Sequence, residues 1–291
     1  MPELPEVETT IKGLRPKVLK RTFVDVWTDS PKIIKKPAGF KDFKKKLKRK
    51  KINRIWRRGK NIIFDLSCGL SLLVHQKMTG HLLVGSWKLQ DKKWVPLYKG
   101  PLGDPANRFV HLMFWLTGDT MVALSDMRKF AKVELWGTRD LLNSESFKKL
   151  GPELLENNFT FERFKEVLQG KRGKIKQVLM NQEIIAGIGN IYSDEALFTA
   201  RIHPLKDVSS FNGRELTALY KAIREVLKKG IKLGGESFAD YRNTKGEKGN
   251  YDDERRVYRR EGEGCFNCKG VVKRIKVSGR SAHFCPSCQK L

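Results

Sequence analysis

Long hydrophobic segments are absent from this sequence. None of its apolar runs approaches the ~20 residues that a membrane-spanning helix needs. Residues 1–20 contain three glutamates and lack the apolar core of a signal peptide. Because both features are missing, we expect a cytoplasmic protein without membrane contact.

Cysteine is scarce and unevenly placed. Four of the five cysteines lie within the last 27 residues, and an odd total argues against a disulfide framework. A reducing cytosol with a metal site fits this distribution better than an oxidising compartment. The remaining thiol, Cys68, is expected to be partly buried and inert at the edge of a strand.

Acidic residues are few relative to basic ones. The 291 residues include 59 Lys and Arg against 32 Asp and Glu, a formal net charge of +27. Residues 32–60 alone contain fifteen basic residues and a single acid, Asp42. Such charge favours a polyanionic partner, because neutralising phosphates releases condensed counterions. A solvated basic face that aids solubility, or contact with ribosomal RNA or anionic lipid, would have the same composition.

The first part of the chain favours β-structure. Residues 5–19 have apolar side chains on one side of a helix, and short strand-like runs separated by turn residues follow. The expected strands cover residues 23–28, 52–56, 61–66, 71–74, 110–116 and 120–124. The pattern fails over residues 85–108, where we expect a basic loop. Residues 1–137 are therefore predicted to form an antiparallel β-sandwich, or a barrel-like domain, with flanking helices.

The second part of the chain favours helices. Helix-compatible spacing is found in residues 161–168, 175–181, 191–199 and 213–229. We predict an α+β protein of two domains, in which a helical domain spans residues 138–235. A Gly-rich polar stretch over residues 237–256 is expected to be a mobile loop, within a lid and linker at 236–260. Residues 261–291 form a separate module.

The C-terminal module has the spacing of a zinc site. Two CxxC pairs, Cys265/Cys268 and Cys285/Cys288, are separated by sixteen residues. Four thiolates at this spacing suit one tetrahedral structural Zn²⁺. Two disulfides, or a redox-active CxxC, would use the same cysteines. Neither alternative explains why two CxxC motifs occur at this separation. Alternating residues between the pairs predict a β-hairpin with Arg280 at its tip.

The N-terminus contains groups suited to amine catalysis. Removal of Met1 would leave a secondary amine on Pro2, and such an amine is partly unprotonated at neutral pH and can attack a sugar C1′. Glu3 follows directly and Glu6 lies one helical turn later, so either carboxylate could transfer protons or position the amine. These residues would also make an ordinary helix start.

Three segments together resemble one family. The opening string MPELPEVETT, residues 182–204 and the four-cysteine finger with Gly279-Arg280 resemble the formamidopyrimidine-DNA glycosylase/endonuclease VIII family, specifically its formamidopyrimidine branch. The matches lie at the start, middle and end of the chain in the family's order. The resemblance implies a DNA glycosylase with an N-terminal β-sandwich, a helix–two-turn–helix segment and a zinc finger.

The resemblance also implies roles for catalytic residues. Pro2 matches the Schiff-base nucleophile of the family and Glu3 the donor that opens the sugar ring, with Glu6 beside them. Lys60 matches the lysine linked to β-elimination and phosphate contact. Arg280 matches the finger arginine assigned to δ-elimination.

Phosphate contacts are implied in the middle segment. The turn at residues 187–190 contains two glycines that let the backbone approach a phosphate, and Asn190 stands at a helix N-terminus that favours an anion. A Gly C-cap followed by an Asn N-cap would have the same sequence. Arg172 and Lys176 match further phosphate contacts of the family.

Extracting a base leaves a hole in the stack that the enzyme must fill. The resemblance assigns Met78 to this void, Arg128 to the orphaned base and Phe130 to a position beside it. Met78 and Phe130 would otherwise be ordinary core residues. The Arg-x-Phe pair is typical of the branch that acts on purine lesions.

Departures from the family pattern, which include the longer and more basic 85–108 loop, bear on lesion range and opposite-base preference. Residues 126–131 read Asp-Met-Arg-Lys-Phe-Ala where Asp-Pro-Arg-Arg-Phe-Gly is usual. Gln76-Lys77 replaces Leu-Gly ahead of Met78. Asn107 or Arg108 stands where a histidine is often found, and we carry a DNA contact over to Asn107.

The sequence therefore predicts a monomeric base-excision-repair enzyme that binds damaged double-stranded DNA in a basic cleft between its domains. It would remove oxidised purines and then cleave the strand as an AP lyase, in the cytoplasm and near the nucleoid of a bacterial-type cell. Three alternatives remain at this point. They are an endonuclease VIII-like enzyme for oxidised pyrimidines, a non-catalytic damaged-DNA-binding module, and a zinc-ribbon RNA-binding protein.

Overall fold

The computed structural model describes residues 1–237 and 240–291, which form two compact units. The first unit comprises Met1–Lys148 and Leu233–Asp252, and the second comprises Lys149–Lys232 and Asp253–Leu291. The segment expected to be a lid and linker is therefore shared between the units, and its residues 238–239 lie outside the described part of the chain. The α+β fold with two domains is confirmed.

The first unit is a β-sandwich. Its strands are β1 (Phe23–Thr28), β2 (Ile34–Lys36), β3 (Ile52–Arg58), β4 (Asn61–Leu66), β5 (Leu70–His75), β6 (His81–Gly85), β7 (Trp87–Gln90), β8 (Lys93–Pro96), β9 (Val110–Leu116), β10 (Thr120–Ser125) and β11 (Lys132–Gly137). One sheet has the order β1-β9-β10-β6 and the other β2-β11-β5-β4-β3, with β2 parallel to β11. Side chains of both sheets meet in one core, which includes Phe114 and Val122 from the first sheet and Ile62 and Val74 from the second.

Helices close the sandwich. They are α1 (Leu4–Val18), α2 (Phe40–Leu47), α3 (Thr138–Asn143) and α4 (Glu145–Lys148). In α1 the predicted apolar side, which includes Val7, Ile11 and Leu14, is buried in the shared core. A capping box between Glu3 and Glu6 begins this helix, so its first turn is held by two carboxylates.

The expected loop at residues 85–108 instead contains a β-hairpin, β7–β8. Its two-residue turn is Asp91-Lys92, both with positive φ, where Asn-Gly is the usual sequence signal. Trp87 and Trp94 pack with Trp27 and other apolar residues in a second cluster. The prediction of a patternless loop was wrong because Asp91-Lys92 does not signal a two-residue turn.

The second unit is helical and ends in the finger. Its elements are α5 (Phe161–Leu168), α6 (Ile175–Met180), α7 (Asn190–Thr199), α8 (Gly213–Lys232), β12 (Lys273–Val277) and β13 (Arg280–Phe284). Every residue from Ile191 to Phe198 is buried, so α7 is the central helix, packed between α6, α8 and β13. Among residues 1–237 and 240–291, no helix has the length and apolar character to cross a bilayer.

Candidate active site and nucleic-acid interface

The N-terminal turn places two buried carboxylates next to Pro2. Glu3 and Glu6 are 2% and 1% exposed, and Pro2 itself is buried. The Glu3 N–H donates to Glu6 Oε2 at 2.7 Å, and the Glu3 carboxylate accepts from the Glu6 backbone in return. This reciprocal pair fixes the chain that leads to Pro2, while Met1 is 46% exposed. The predicted catalytic residues at positions 2, 3 and 6 therefore lie together.

The 233–252 segment contacts the same turn. The Glu236 N–H donates to the second oxygen of Glu6, Oε1, at 2.9 Å, and the Tyr241 hydroxyl donates to the Glu6 carbonyl at 3.0 Å. Burial raises the pKa of Tyr241 above its usual value, so the phenol keeps its proton and remains a donor. Gly235 has φ +87° and lies so close that a Cβ would be 2.8 Å from the Glu6 carboxyl oxygen.

Lys60 is the second residue of the two-residue turn between β3 and β4. It is 6% exposed and is preceded by Gly59 at φ +56°. Asn61, the first residue of β4, pairs with His75, the last residue of β5. Burial, together with the charges of neighbouring lysines that include Lys60, lowers the pKa of His75 to about 3. The neutral ring accepts the Lys77 N–H at Nδ1 (3.0 Å), so its proton is on Nε2.

His75 was not among the site residues predicted from the sequence. Its position directly before the Gln76-Lys77-Met78 string was the available signal. A neutral histidine beside a buried lysine offers one N–H donor without adding charge, which suits it to a phosphate or sugar oxygen.

The three predicted wedge residues lie on exposed turns of the first unit. Met78 is 38% exposed and Phe130 is 52% exposed, so neither is a core residue. The guanidinium carbon of Arg128 lies 4.6 Å from the centre of the Phe130 ring.

A buried hydrogen-bond network supports both turns. The Thr79 hydroxyl bonds to the Asp126 carboxylate and accepts the Arg128 N–H at 3.1 Å. The other Asp126 oxygen accepts the Ala131 N–H at 2.7 Å. Asp126 thus orders its turn even though Met127 and Ala131 depart from the usual sequence.

The structure does not agree with the DNA contact expected of Asn107. It is 2% exposed, and its amide nitrogen donates to the carbonyls of Pro101 (2.9 Å) and Gly246 (3.2 Å). Burial holds the pKa of His81 below its usual value, and the neutral ring donates from Nε2 to Asn107 Oδ1 at 2.9 Å. The side chain is used inside the unit, so the structure does not support the DNA contact that we carried over to it.

Lys176 corrects a second expectation. It is fully buried, and its ammonium donates to Asn190 O, Ser193 Oγ and Asp194 Oδ1 at 2.7–2.8 Å. All three protons are therefore used within the second unit. Lys176 fixes the start of α7, so the structure does not support the phosphate contact that the resemblance implied.

Two other predicted phosphate residues of the second unit, Arg172 and Arg280, are accessible, whereas Asn190 is half-buried. Arg172 is exposed beside Gly173, and Arg280 is exposed at the tip of the β12–β13 hairpin. Asn190 is the first residue of α7, and its Oδ1 has no hydrogen-bond partner in the part of the chain that the structure describes. Gly189 is the N-cap, so the proposed Asn cap was one residue too late.

The four C-terminal cysteines form a metal site. Their Sγ atoms lie within 4.8 Å of one another, with 3.9 Å between Cys265 and Cys288 and 3.5 Å between Cys268 and Cys285. A tetrahedron with metal–sulfur bonds of about 2.3 Å has edges of about 3.8 Å, so the four thiolates fit Zn²⁺. These separations exclude disulfides, whose bond is about 2.05 Å. Cys68 is exposed, in a left-handed turn between β4 and β5, so its predicted partial burial was wrong.

The finger is anchored to α7. Asp194 Oδ2 accepts the His283 N–H at 2.9 Å and bonds to its ring at 3.0 Å. The Glu195 carboxylate accepts three successive backbone N–H groups, from residues 256–258, at 2.8–3.0 Å. Burial raises the pKa of Glu195 above its usual value, although these three hydrogen bonds act to lower it. The hairpin with Arg280 is therefore held to the helix that begins with Asn190.

Known families match the chain in three consecutive parts. The formamidopyrimidine-DNA glycosylase N-terminal domain matches residues 1–133, the H2TH domain of the same enzymes matches 150–242, and the zinc finger found in FPG and IleRS matches 262–291. The formamidopyrimidine-DNA glycosylase of Pelotomaculum thermopropionicum is 39% identical over 293 residues, covering 100% of both chains. The enzyme of that name from Lactococcus lactis is 37% identical over 290 residues, again with 100% coverage of each.

Solved structures of the Lactococcus lactis protein have the same fold. A mutant of it in complex with DNA containing Fapy-dG has a TM-score of 0.86 at 35% identity and covers 100% of each chain. A complex with DNA containing an abasic site has a TM-score of 0.86 at 35% identity, covering 99% of this chain and 100% of the other.

Proposed function

Since the chain belongs to the formamidopyrimidine-DNA glycosylase family, we propose that it excises oxidised purines, 8-oxoguanine and formamidopyrimidines, from duplex DNA and then cleaves the strand. The observation that supports this best is the buried pair Glu3–Glu6 directly after Pro2. Relatives with the same architecture are solved with Fapy-dG DNA and with abasic DNA. A structural Zn²⁺ is held by the four cysteines.

Pro2, freed by removal of Met1, is the nucleophile. Its nitrogen forms a bond to C1′ of the flipped nucleotide, and the base leaves with the electrons of the glycosidic bond. Glu3 donates a proton to the ring oxygen, so the sugar opens and an iminium ion joins Pro2 to C1′. Loss of a C2′ proton then expels the 3′ phosphate (β-elimination), and a second elimination expels the 5′ phosphate. Glu6 holds the turn in place and Lys60 faces the phosphates.

The wedge and phosphate residues complete the proposal. Met78 fills the space of the flipped nucleotide, Arg128 bonds to the orphaned base, and Phe130 wedges beside it. Their exposure fits these roles, since a core residue could not reach DNA. Arg172, Asn190 and Arg280 contact phosphates, and Arg280 also assists the δ-elimination. Described residues of 233–252 cover the flipped base from their position on Glu6.

Duplexes that differ only in the lesion test this function. We expect excision of 8-oxoguanine opposite cytosine, and much slower excision of an oxidised pyrimidine in the same sequence. A preference for the pyrimidine lesion would support the endonuclease VIII-like alternative. Binding of both duplexes without cleavage of either would contradict enzymatic function and support a damaged-DNA-binding module.

A further inference from the structure

The 233–252 segment is held near its middle, at Arg242 and Gly246, by a turn that belongs to the sandwich. Arg242, whose side chain is 6% exposed, donates to Asp104 Oδ1 at 3.1 Å. Asn107 donates to the Gly246 carbonyl at 3.2 Å and is in turn bonded by His81. The bonds of Arg242 and Gly246 to this turn link residues more than 130 positions apart in sequence. The 101–107 turn therefore clamps the segment.

Gly246 shows how closely the two parts approach. It has φ +86°, and a Cβ there would lie 2.7 Å from both Asn107 Nδ2 and the Pro101 carbonyl. Its own turn is compact, because Asn243 Oδ1 accepts the N–H groups of Lys245 (2.9 Å) and Glu247 (3.1 Å). The turn is thus ordered internally and fitted against residues 101–107.

The segment is also attached along the way to Glu6. The Val84 N–H, in β6, donates to the Thr244 carbonyl at 2.8 Å. Thr244 packs so closely on α1 that a Cβ at Gly13 would lie 2.1 Å from its hydroxyl oxygen. Glu236 and Tyr241 also bond to Glu6, so the described residues of the segment are attached to the sandwich both at Glu6 and at Thr244.

The clamp has a rigid base. The Asp104 carboxylate accepts the Ala106 N–H at 2.8 Å as the cap of a 3-10 turn. Burial would raise the pKa of Asp104, but the bonds from Ala106 and Arg242 outweigh it and hold the pKa below its usual value. Leu102 packs into the tryptophan cluster of the β7–β8 hairpin. The β7–β8 hairpin, which was not predicted from the sequence, thus fixes the turn that contains Asp104.

We propose that Asp104 and Asn107, with His81 behind Asn107, are positioning residues for recognition of the flipped base. They set where the described residues of the 233–252 segment lie relative to Glu6, and so where those residues cover the base. This inference rests on the proposed function. An abasic site has no base to recognise, so the clamp serves base excision and is dispensable for AP lyase activity.

Two variants disturb the clamp from opposite sides. Asp104→Asn keeps the cap on Ala106 but removes the charge facing Arg242. Gly246→Ala introduces the clash with Asn107 and Pro101. Matched controls are Asp25→Asn, which removes the partner of Lys44, and Gly39→Ala, at φ +94° with nothing within 4 Å of the new Cβ. The controls therefore reproduce charge loss and backbone strain away from the clamp.

The test compares single-turnover excision of 8-oxoguanine with AP lyase cleavage of a preformed abasic duplex, for wild type and all four variants. We expect both clamp variants to lose about tenfold in excision, since small misplacements of positioning groups cost that much or more. Their lyase rates should stay within about twofold of wild type, and the controls should match wild type on both substrates.

Equal losses on the two substrates, or no loss in excision, would overturn the clamp proposal. A clamp variant that loses excision no more than its control would do the same. If wild type itself cleaves the abasic duplex but does not excise 8-oxoguanine, the proposed lesion specificity fails and not the clamp.

Discussion

Replacing Lys176 or Asp194 tests whether this buried pair supports α7 or contacts DNA. Both side chains are essentially unexposed, at 1% and 0%, and the ammonium and carboxylate oxygen are 2.7 Å apart. Lys176 also donates to Asn190 O and Ser193 Oγ, while Asp194 accepts two bonds from His283. Removing one partner leaves a buried charge without compensation.

The expected loss of stability differs between the two variants. Asp194→Asn strands the Lys176 ammonium, and we expect about 3–5 kcal/mol of lost unfolding free energy. Lys176→Met should cost about 3 kcal/mol, the lower end of that range, because Asp194 keeps the two donors of His283. The double variant should lose less than the sum of the single losses, since the residues interact directly.

Thermal unfolding and DNA binding together provide the assay. We expect the midpoint of unfolding to fall by roughly 10 °C in Lys176→Met, while the slope of log affinity against log salt stays unchanged. Arg172→Met, at an exposed position, should make that slope shallower by about 0.9 without changing the midpoint of unfolding. If Lys176→Met makes the slope shallower as Arg172→Met does and leaves the midpoint unchanged, Lys176 contacts a phosphate and its assignment as a buried support of α7 is wrong.

Three further predictions concern the wedge, His75 and the zinc site. Met78→Ala and Phe130→Ala should change the unfolding free energy by less than about 0.5 kcal/mol, because both residues are exposed, yet slow excision in single-turnover assays; a large loss of stability would place them in the core. The folded-state pKa of His75, about 3, lies below its unfolded value of about 6.5. The contribution of neutral His75 to the unfolding free energy is therefore present above pH 6.5 and is lost as pH falls towards 3. His75→Gln should reduce the slope of unfolding free energy against pH in this range by up to about 1.4 kcal/mol per pH unit. Parallel curves for wild type and variant would contradict this. Cys268→Ser should lose zinc in elemental analysis and weaken DNA binding through Arg280 while the first unit keeps its near-UV spectrum; retained zinc would contradict the ligand assignment.

Helices, strands and the zinc site could be predicted where the residues that determine them are close in sequence. The spacing of Val7, Ile11 and Leu14 predicted the buried side of α1, and two CxxC pairs predicted the four-cysteine zinc site. Strands such as β9 and β4 were found at the expected residues because alternation and turn residues bound them.

Contacts distant in sequence could not be predicted in the same way. Glu6 bonds to Glu236, 230 positions away, and nothing near either residue signals the other. The DNA contacts of Lys176 and Asn107 were carried over from the family resemblance, and a match in sequence does not distinguish an exposed polar residue from a buried, fully bonded one. The hairpin β7–β8 was missed because Asp91-Lys92 is an uncommon pair for a two-residue turn with positive φ.

The central claim is that Pro2 attacks the sugar of a flipped oxidised purine. Borohydride trapping on a duplex with 8-oxoguanine opposite cytosine tests it most directly, with wild type beside Pro2→Gly. We predict a covalent protein–DNA adduct with wild type that is lost or much weaker in the variant. Binding of the lesion duplex with neither trapping nor cleavage by the wild-type protein would contradict the account.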